Sequence, residues 1–166
     1  ERSETEVSYL FDLLTRGIDK LIRQSQSKNI RLYFIWDRTL LRSDCRLVIQ
    51  KAEKETENNT RMNAIFAIGY GWQEEIARAV SLLAKSGKDM ATTTREDIIS
   101  YLETSQFPPP DMIVRTGGHI RHSGYFLFQS PYSEYFFSEK NWPDFDESDV
   151  ELVLESYENR VRKFGK

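Results

Sequence analysis

The stretch Arg115-Thr116-Gly117-Gly118-His119-Ile120-Arg121-His122-Ser123 combines residue types that suit the binding of an anion. Two glycines let the backbone turn freely and come close to a ligand. Two arginines offer forked donors that match phosphate oxygens, and Ser123 adds a hydroxyl. No carboxylate within the stretch neutralises the cations. It directly follows Met112-Ile113-Val114, which reads as a short buried strand, and open α/β sheets place ligands beyond the carboxyl ends of their strands. The simplest chemistry for such a segment is to hold a phosphate or diphosphate. The same residue types also fit a solvated glycine turn with two surface arginines. His119 and His122 can be read as a metal pair, but the pair lacks a further His or Cys ligand.

Glu134 is the second position of interest, set between Pro131-Tyr132-Ser133 and Tyr135-Phe136-Phe137. A carboxylate inside an aromatic run is costly to bury unless it is paired or bound to a cation. A hard cation such as Mg2+, shared with phosphate oxygens, would use it. An arginine partner or a helix-capping role would satisfy it equally. Around Glu134 lies an aromatic cluster: Tyr125, Phe126, Phe128, Tyr132, Tyr135, Phe136, Phe137, Trp142 and Phe145. Core, subunit interface and the lining of an apolar channel all suit it. Stacking on nucleic acid suits it less, since basic residues are not interleaved.

The elements that must position these residues follow from periodicity. Residues 4–25 carry an apolar stripe at helical spacing, with Ser3 and Glu6 as a capping box. Residues 31–36 and 64–68 read as strands, the second an apolar run suited to burial on both faces. Helices are expected over 39–57 and 73–85, the latter with Ile76, Ala79, Val80 and Leu83 inward. Thr93 and Glu96 form a capping box for a helix near 95–104, which Pro108-Pro109-Pro110 cannot continue. A last helix begins after Asp146, with Val150, Val153, Leu154, Tyr157, Val161 and Phe164 on its buried face and Arg160, Arg162 and Lys163 near its negative end. Strands alternating with helices predict an α/β fold, a mainly parallel β-sheet covered by helices, in a single domain over 1–166.

Composition narrows the class. The 166 residues carry 23 Lys plus Arg against 26 Asp plus Glu, a net charge of −3, which argues against a dedicated nucleic-acid binder. A hydrophobic share of 39% is too high for wholesale disorder. No apolar run approaches the ~20 residues of a membrane span. The single Cys45 excludes an intrachain disulfide and fits a reducing compartment.

Taken in order, Asp111-Met-Ile-Val-Arg-Thr-Gly-Gly118, Arg121-His-Ser123, Ser133-Glu134, Trp142-Pro-Asp-Phe-Asp146, Asn159-Arg160 and Arg162-Lys-Phe-Gly165 closely resemble the cis-prenyltransferases, the family of undecaprenyl diphosphate synthase. The resemblance implies an enzyme that condenses isopentenyl diphosphate with an allylic prenyl diphosphate, each new double bond being cis. It implies a dimer, homomeric or with a related subunit, a hydrophobic tunnel for the growing chain, and Mg2+ to assist diphosphate departure. Carried over by position, Arg115, Arg121 and Ser123 hold the diphosphate of isopentenyl diphosphate, Glu134 helps bind Mg2+, and Arg2 matches an arginine at the end of a mobile loop that contacts diphosphate. A cytoplasmic protein, at most peripheral at the membrane, is expected.

Several positions depart from the family pattern. The usual Asn-Tyr-Gly-Gly-Arg reads here as Gly69-Tyr70-Gly71-Trp72-Gln73. The usual acidic residue after the glycine pair is His119, and the usual glycine before Asp37 is Trp36. No Asp-Gly-Asn-Gly-Arg run, the family's allylic phosphate loop, occurs in the sequence. The expectation is therefore that these residues are the C-terminal portion of a longer cis-prenyltransferase domain, with its catalytic residues in the preceding segment. The alternative is a non-catalytic partner subunit of a heteromeric enzyme. A generic phosphate-binding module is a third reading that needs no family.

Overall fold

The computed structural model describes residues 3–36 and 41–161. It forms two compact units, one ending at Tyr70 and the other beginning at Gly71. The first contains α1 (Glu4–Ser27), β1 (Ile30–Trp36), α2 (Ser43–Glu55) and β2 (Met62–Ile68); the second contains α3 (Trp72–Lys85), α4 (Arg95–Ser100), β3 (Met112–Arg115), β4 (Glu134–Phe137) and α5 (Glu147–Glu158). Both strand pairs are parallel, β1 with β2 and β3 with β4. β1 and β2 are joined through α2, whereas β3 and β4 are joined by an irregular segment; parallel strands with helices between them in the chain are the α/β architecture that the alternating pattern predicts. No helix among the described residues is long and apolar enough to cross a membrane.

In the first unit, Ile18 and Ile22 of α1 and Cys45, Ile49 and Ala52 of α2 close over Leu32 and Phe34 of β1. Burial pushes the Cys45 thiol pKa up. The free edge of β1 is covered by side chains from the end of α2. Leu32 N–H donates to Thr56 Oγ1 (3.0 Å), and Phe34 N–H donates to Glu53 Oε1 (3.0 Å). These acceptors satisfy the donors that an open strand edge would otherwise present to another chain. β2 departs from expectation: Met62, Ile65 and Phe66 are substantially exposed. It pairs only with β1 among the described residues, so the apolar run is covered on one edge rather than on both faces.

In the second unit, α4 starts at Arg95 as expected but is shorter, and its cap is one residue later than expected. Its N-cap is Thr94, in a reciprocal capping box with Asp97. Thr93 and Glu96 had the same spacing, but Lys88 pairs with Asp97, while the Thr93 hydroxyl donates to Asp89 O. α5 begins after Asp146 as predicted, with Asp146 and Asp149 forming a capping box. Its buried face is narrower than the periodicity suggests: Val153 is buried, whereas Val150 and Leu154 are exposed. The helix stops at Glu158, and Arg160 serves another strand instead of the helix end. Phe164, Arg162 and Lys163 lie outside the described residues.

The Lys88 contact, with help from the Thr94 N–H and hydroxyl, holds the Asp97 carboxyl at about 2, against an ordinary 3.8. A depressed carboxylate stabilises the fold above its unfolded pKa and loses that contribution as pH falls through its folded value. Urea midpoints are therefore expected to drop between about pH 4 and pH 2, and to drop less in Asp97→Asn. Identical pH slopes in the two proteins would remove Asp97 from this account.

Candidate functional site

β3 ends on Arg115, which is in register with Phe137 of β4. Pairing continues past both strands. Ser138 N–H donates to Arg115 O (2.8 Å), Gly118 N–H to Ser138 O (3.0 Å) and Gly117 N–H to Lys140 O (2.8 Å). The glycine turn is thus anchored along its length at the carboxyl end of two parallel strands. Gly117 and Gly118 have φ of +91° and +71°, where a side chain is strained. A Cβ on Gly118 would also sit 2.8 Å from Glu139 Oε2.

The turn returns to the strand end through Ser123, whose φ of +54° is left-handed. That conformation costs a non-glycine residue about 1–3 kcal/mol and clusters at functional sites. It places Oγ as acceptor of a hydrogen bond from Arg115 Nη1 (3.0 Å). Trp72 N–H, at the start of α3, donates to Gly124 O (3.1 Å) and secures the far side of the loop.

Arg115 and Arg121 line the same pocket, of about 140 Å³, together with His122. The other walls are Ile113, Val114, Tyr125, Tyr135 and Phe137. Arg115 Nε is buried and has no hydrogen-bond partner among the described residues. Arg121 makes no hydrogen bond or ion pair among them. Two cations with spare donors line one recess of largely apolar side chains, Arg115 partly buried and Arg121 exposed. Arg115 thus shares the pocket with Arg121 and meets Ser123, which is not part of the lining, through a hydrogen bond. Arg2 lies outside the described residues.

Glu134 opens β4 and is partly buried. Arg160 spans two of its groups, donating to Glu134 Oε2 (2.6 Å) through Nη1 and to Tyr135 O (2.9 Å) through Nη2. The arginine-partner alternative for Glu134 is thus realised. No group of three or more His, Cys, Asp or Glu among the described residues forms a metal cage. Glu134 Oε1 still leaves one hard oxygen, and Mg2+ is commonly held by one or two carboxylates with substrate phosphates supplying the rest. Glu134 is in register with Met112, at the opposite end of the paired strands from Arg115, and is not part of the pocket that Arg115 and Arg121 line. The two histidines differ in setting: His119 is not part of the pocket lining, whereas His122 lines it and its Nδ1 meets the Tyr135 hydroxyl.

Sequence reasoning missed Glu75. It is 1% exposed and accepts from Thr104 N–H (2.9 Å, at Oε1) and from Gln129 Nε2 (2.7 Å, at Oε2). Its spacing with the buried Ala79 and Leu83, four and eight residues on, was the available signal. The aromatic cluster is more open than a core: Tyr125, Tyr132 and Trp142 are exposed. Phe126, Phe128 and Tyr132 instead line a larger cavity, of about 580 Å³, against Pro108, Pro109 and Pro110.

An α/β chain with an anchored, arginine-bearing glycine turn at the end of parallel strands has the form of an oxyanion-binding protein. Comparison makes the class specific. A family model described as "Putative undecaprenyl diphosphate synthase" matches residues 1–165. The isoprenyl transferase of Agrobacterium fabrum is 39% identical over 168 residues, covering 99% of this chain and 68% of the relative. That of Brucella suis is 36% identical, covering 99% and 66%. The chain thus spans about two thirds of the length of these relatives.

Among solved structures, lavandulyl diphosphate synthase from Lavandula x intermedia, in complex with dimethylallyl diphosphate, matches with a TM-score of 0.93 and 30% identity, covering 100% of this chain and 74% of that one. A "probable undecaprenyl diphosphate synthase" from Campylobacter jejuni matches at 0.88 with 28% identity, covering 99% and 77%. The chain belongs to the undecaprenyl diphosphate synthase family of prenyltransferases.

Proposed function

We propose that this protein is a cis-prenyltransferase that lengthens an allylic prenyl diphosphate with isopentenyl diphosphate, and that Arg115, Arg121 and Ser123 hold the latter's diphosphate. The observation that carries this reading is that Arg115 Nε and the Arg121 side chain, which line one pocket, have no partner among the described residues. A buried donor without an acceptor is costly, and a diphosphate oxygen would satisfy it.

In the condensation the allylic carbon–oxygen bond breaks, a carbon–carbon bond forms to the isopentenyl double bond, and that unit then loses a proton. The guanidinium groups fix the isopentenyl substrate by its charged end, which removes much of the entropic barrier to this encounter. The apolar walls limit the access of water to a carbocation-like centre. Arg2 would add a further diphosphate contact, and the working form is a dimer, homomeric or with a related subunit. These two assignments rest on the family motifs.

Glu134 would give Mg2+ its protein oxygen, and the bound ion would offset charge on the diphosphates. Glu134→Gln is expected to raise the Mg2+ concentration for half-maximal elongation by about tenfold, while leaving isopentenyl diphosphate binding without metal within about twofold. An unchanged Mg2+ requirement would reduce Glu134 to the structural partner of Arg160. The direct test of the whole reading supplies the full-length protein with Mg2+, an allylic diphosphate and isopentenyl diphosphate. Elongated product supports it. Product formed only after a second protein is added would favour the partner-subunit role.

A further inference from the structure

His122 stands between Arg121 and Ser123 and lines the same pocket. Its ring is held by Tyr135, which lines the same pocket. Nδ1 lies 2.9 Å from the Tyr135 hydroxyl, and the two rings meet edge to face with centroids 4.9 Å apart. Tyr135 is itself constrained, stacked on Phe137 at 5.8 Å with its hydroxyl 3.3 Å from Ser130 Oγ. Ser130 is buried and donates to Leu127 O (3.4 Å). The second ring nitrogen, Nε2, has no hydrogen-bond partner among the described residues.

Proton bookkeeping along this chain constrains the imidazole. With Tyr135 O–H donating to Nδ1, the closest contact of the series, the ring proton sits on Nε2. With a charged imidazolium, Nδ1–H donates to Tyr135, Tyr135 donates to Ser130, and Ser130 donates to Leu127 O, so every group is satisfied. In both states Nε2–H is a donor with no acceptor among the described residues, on an exposed side chain that lines the pocket with Arg115 and Arg121. The remaining neutral tautomer presents a lone pair, and an anion selects against it.

We propose that His122 is a third donor to the bound diphosphate, its Nε2–H oriented by the Tyr135–Ser130 relay. This rests on the diphosphate reading of the pocket. The relay is what separates His122 from a loose surface histidine: ring orientation is set before the ligand arrives, so less freedom is lost on binding.

The test titrates isopentenyl diphosphate, and separately inorganic pyrophosphate, into the full-length protein and its His122→Asn, His122→Gln, Tyr135→Phe and Arg121→Ala variants. The glutamine amide reaches the place of Nε2, whereas the asparagine amide reaches only that of Nδ1. His122→Asn is expected to weaken both ligands by about tenfold and His122→Gln by less than about threefold. Tyr135→Phe should fall between them. In turnover, His122→Asn should raise KM for isopentenyl diphosphate and leave KM for the allylic substrate unchanged. The opposite order, with asparagine tolerated and glutamine not, would show that His122 only braces Tyr135 and would overturn the proposal. Wild-type affinity in both His122 variants, with Arg121→Ala still weakened, overturns it too and leaves the diphosphate reading intact. An Arg121→Ala variant that binds normally removes that reading and this proposal together.

Discussion

Arg121→Ala is expected to weaken isopentenyl diphosphate binding by about 1–3 kcal/mol, roughly 5- to 150-fold in Kd, with no change in unfolding midpoint. The separation of binding from stability follows from the geometry. Arg121 makes no hydrogen bond or ion pair among the described residues, so its removal breaks none of their polar contacts. Arg115→Ala should cost at least as much binding, because Arg115 contributes both the buried Nε and the contact to Ser123. Arg121→Lys should recover part of the loss, since an ammonium keeps the charge and loses the fork. Calorimetric titration with isopentenyl diphosphate measures all three. Wild-type affinity in Arg121→Ala would withdraw the site assignment.

Glu75→Ala is expected to destabilise the protein by about 3–4 kcal/mol, seen as a lower denaturant midpoint at constant slope. The substitution removes the acceptor of the buried Thr104 N–H and of the Gln129 amide in one step. Glu75→Gln should cost only about 1–2 kcal/mol. Rotating the Gln129 amide would turn its unpartnered Oε1 toward the new NH2, which restores a donor–acceptor match. An alanine variant as stable as the glutamine one would show that this network does not hold the second unit together. Glu75 lies in α3, whose first N–H secures Gly124, so its loss should also loosen the loop that carries Ser123.

Much of this molecule was legible in its residues. The stripes of α1 and α3, the Asp146 cap of α5 and the apolar runs of β1 and β3 are local patterns, and local patterns follow from period and capping alone. The glycine turn was legible for the same reason: Gly117 and Gly118 sit where only glycine is unstrained, and the arginines flank them in sequence. The choice between Thr93 and Thr94 as cap was not legible, because both have an acidic residue three positions on, and only the structure shows Asp97 capping Thr94 while it pairs with Lys88.

What the sequence by itself determined is the α/β order, the family and the glycine turn with its two arginines. Only the tertiary structure decided how those residues are used. It put Arg115 and Arg121 in one recess, tied Glu134 to Arg160 from 26 residues away, buried Glu75 and set Tyr135 against His122. The physical reason is range. Backbone preference and periodicity act over a few residues and are written along the chain, whereas burial and the pairing of charges depend on which distant segments share a space, and that is settled only when the strands pair.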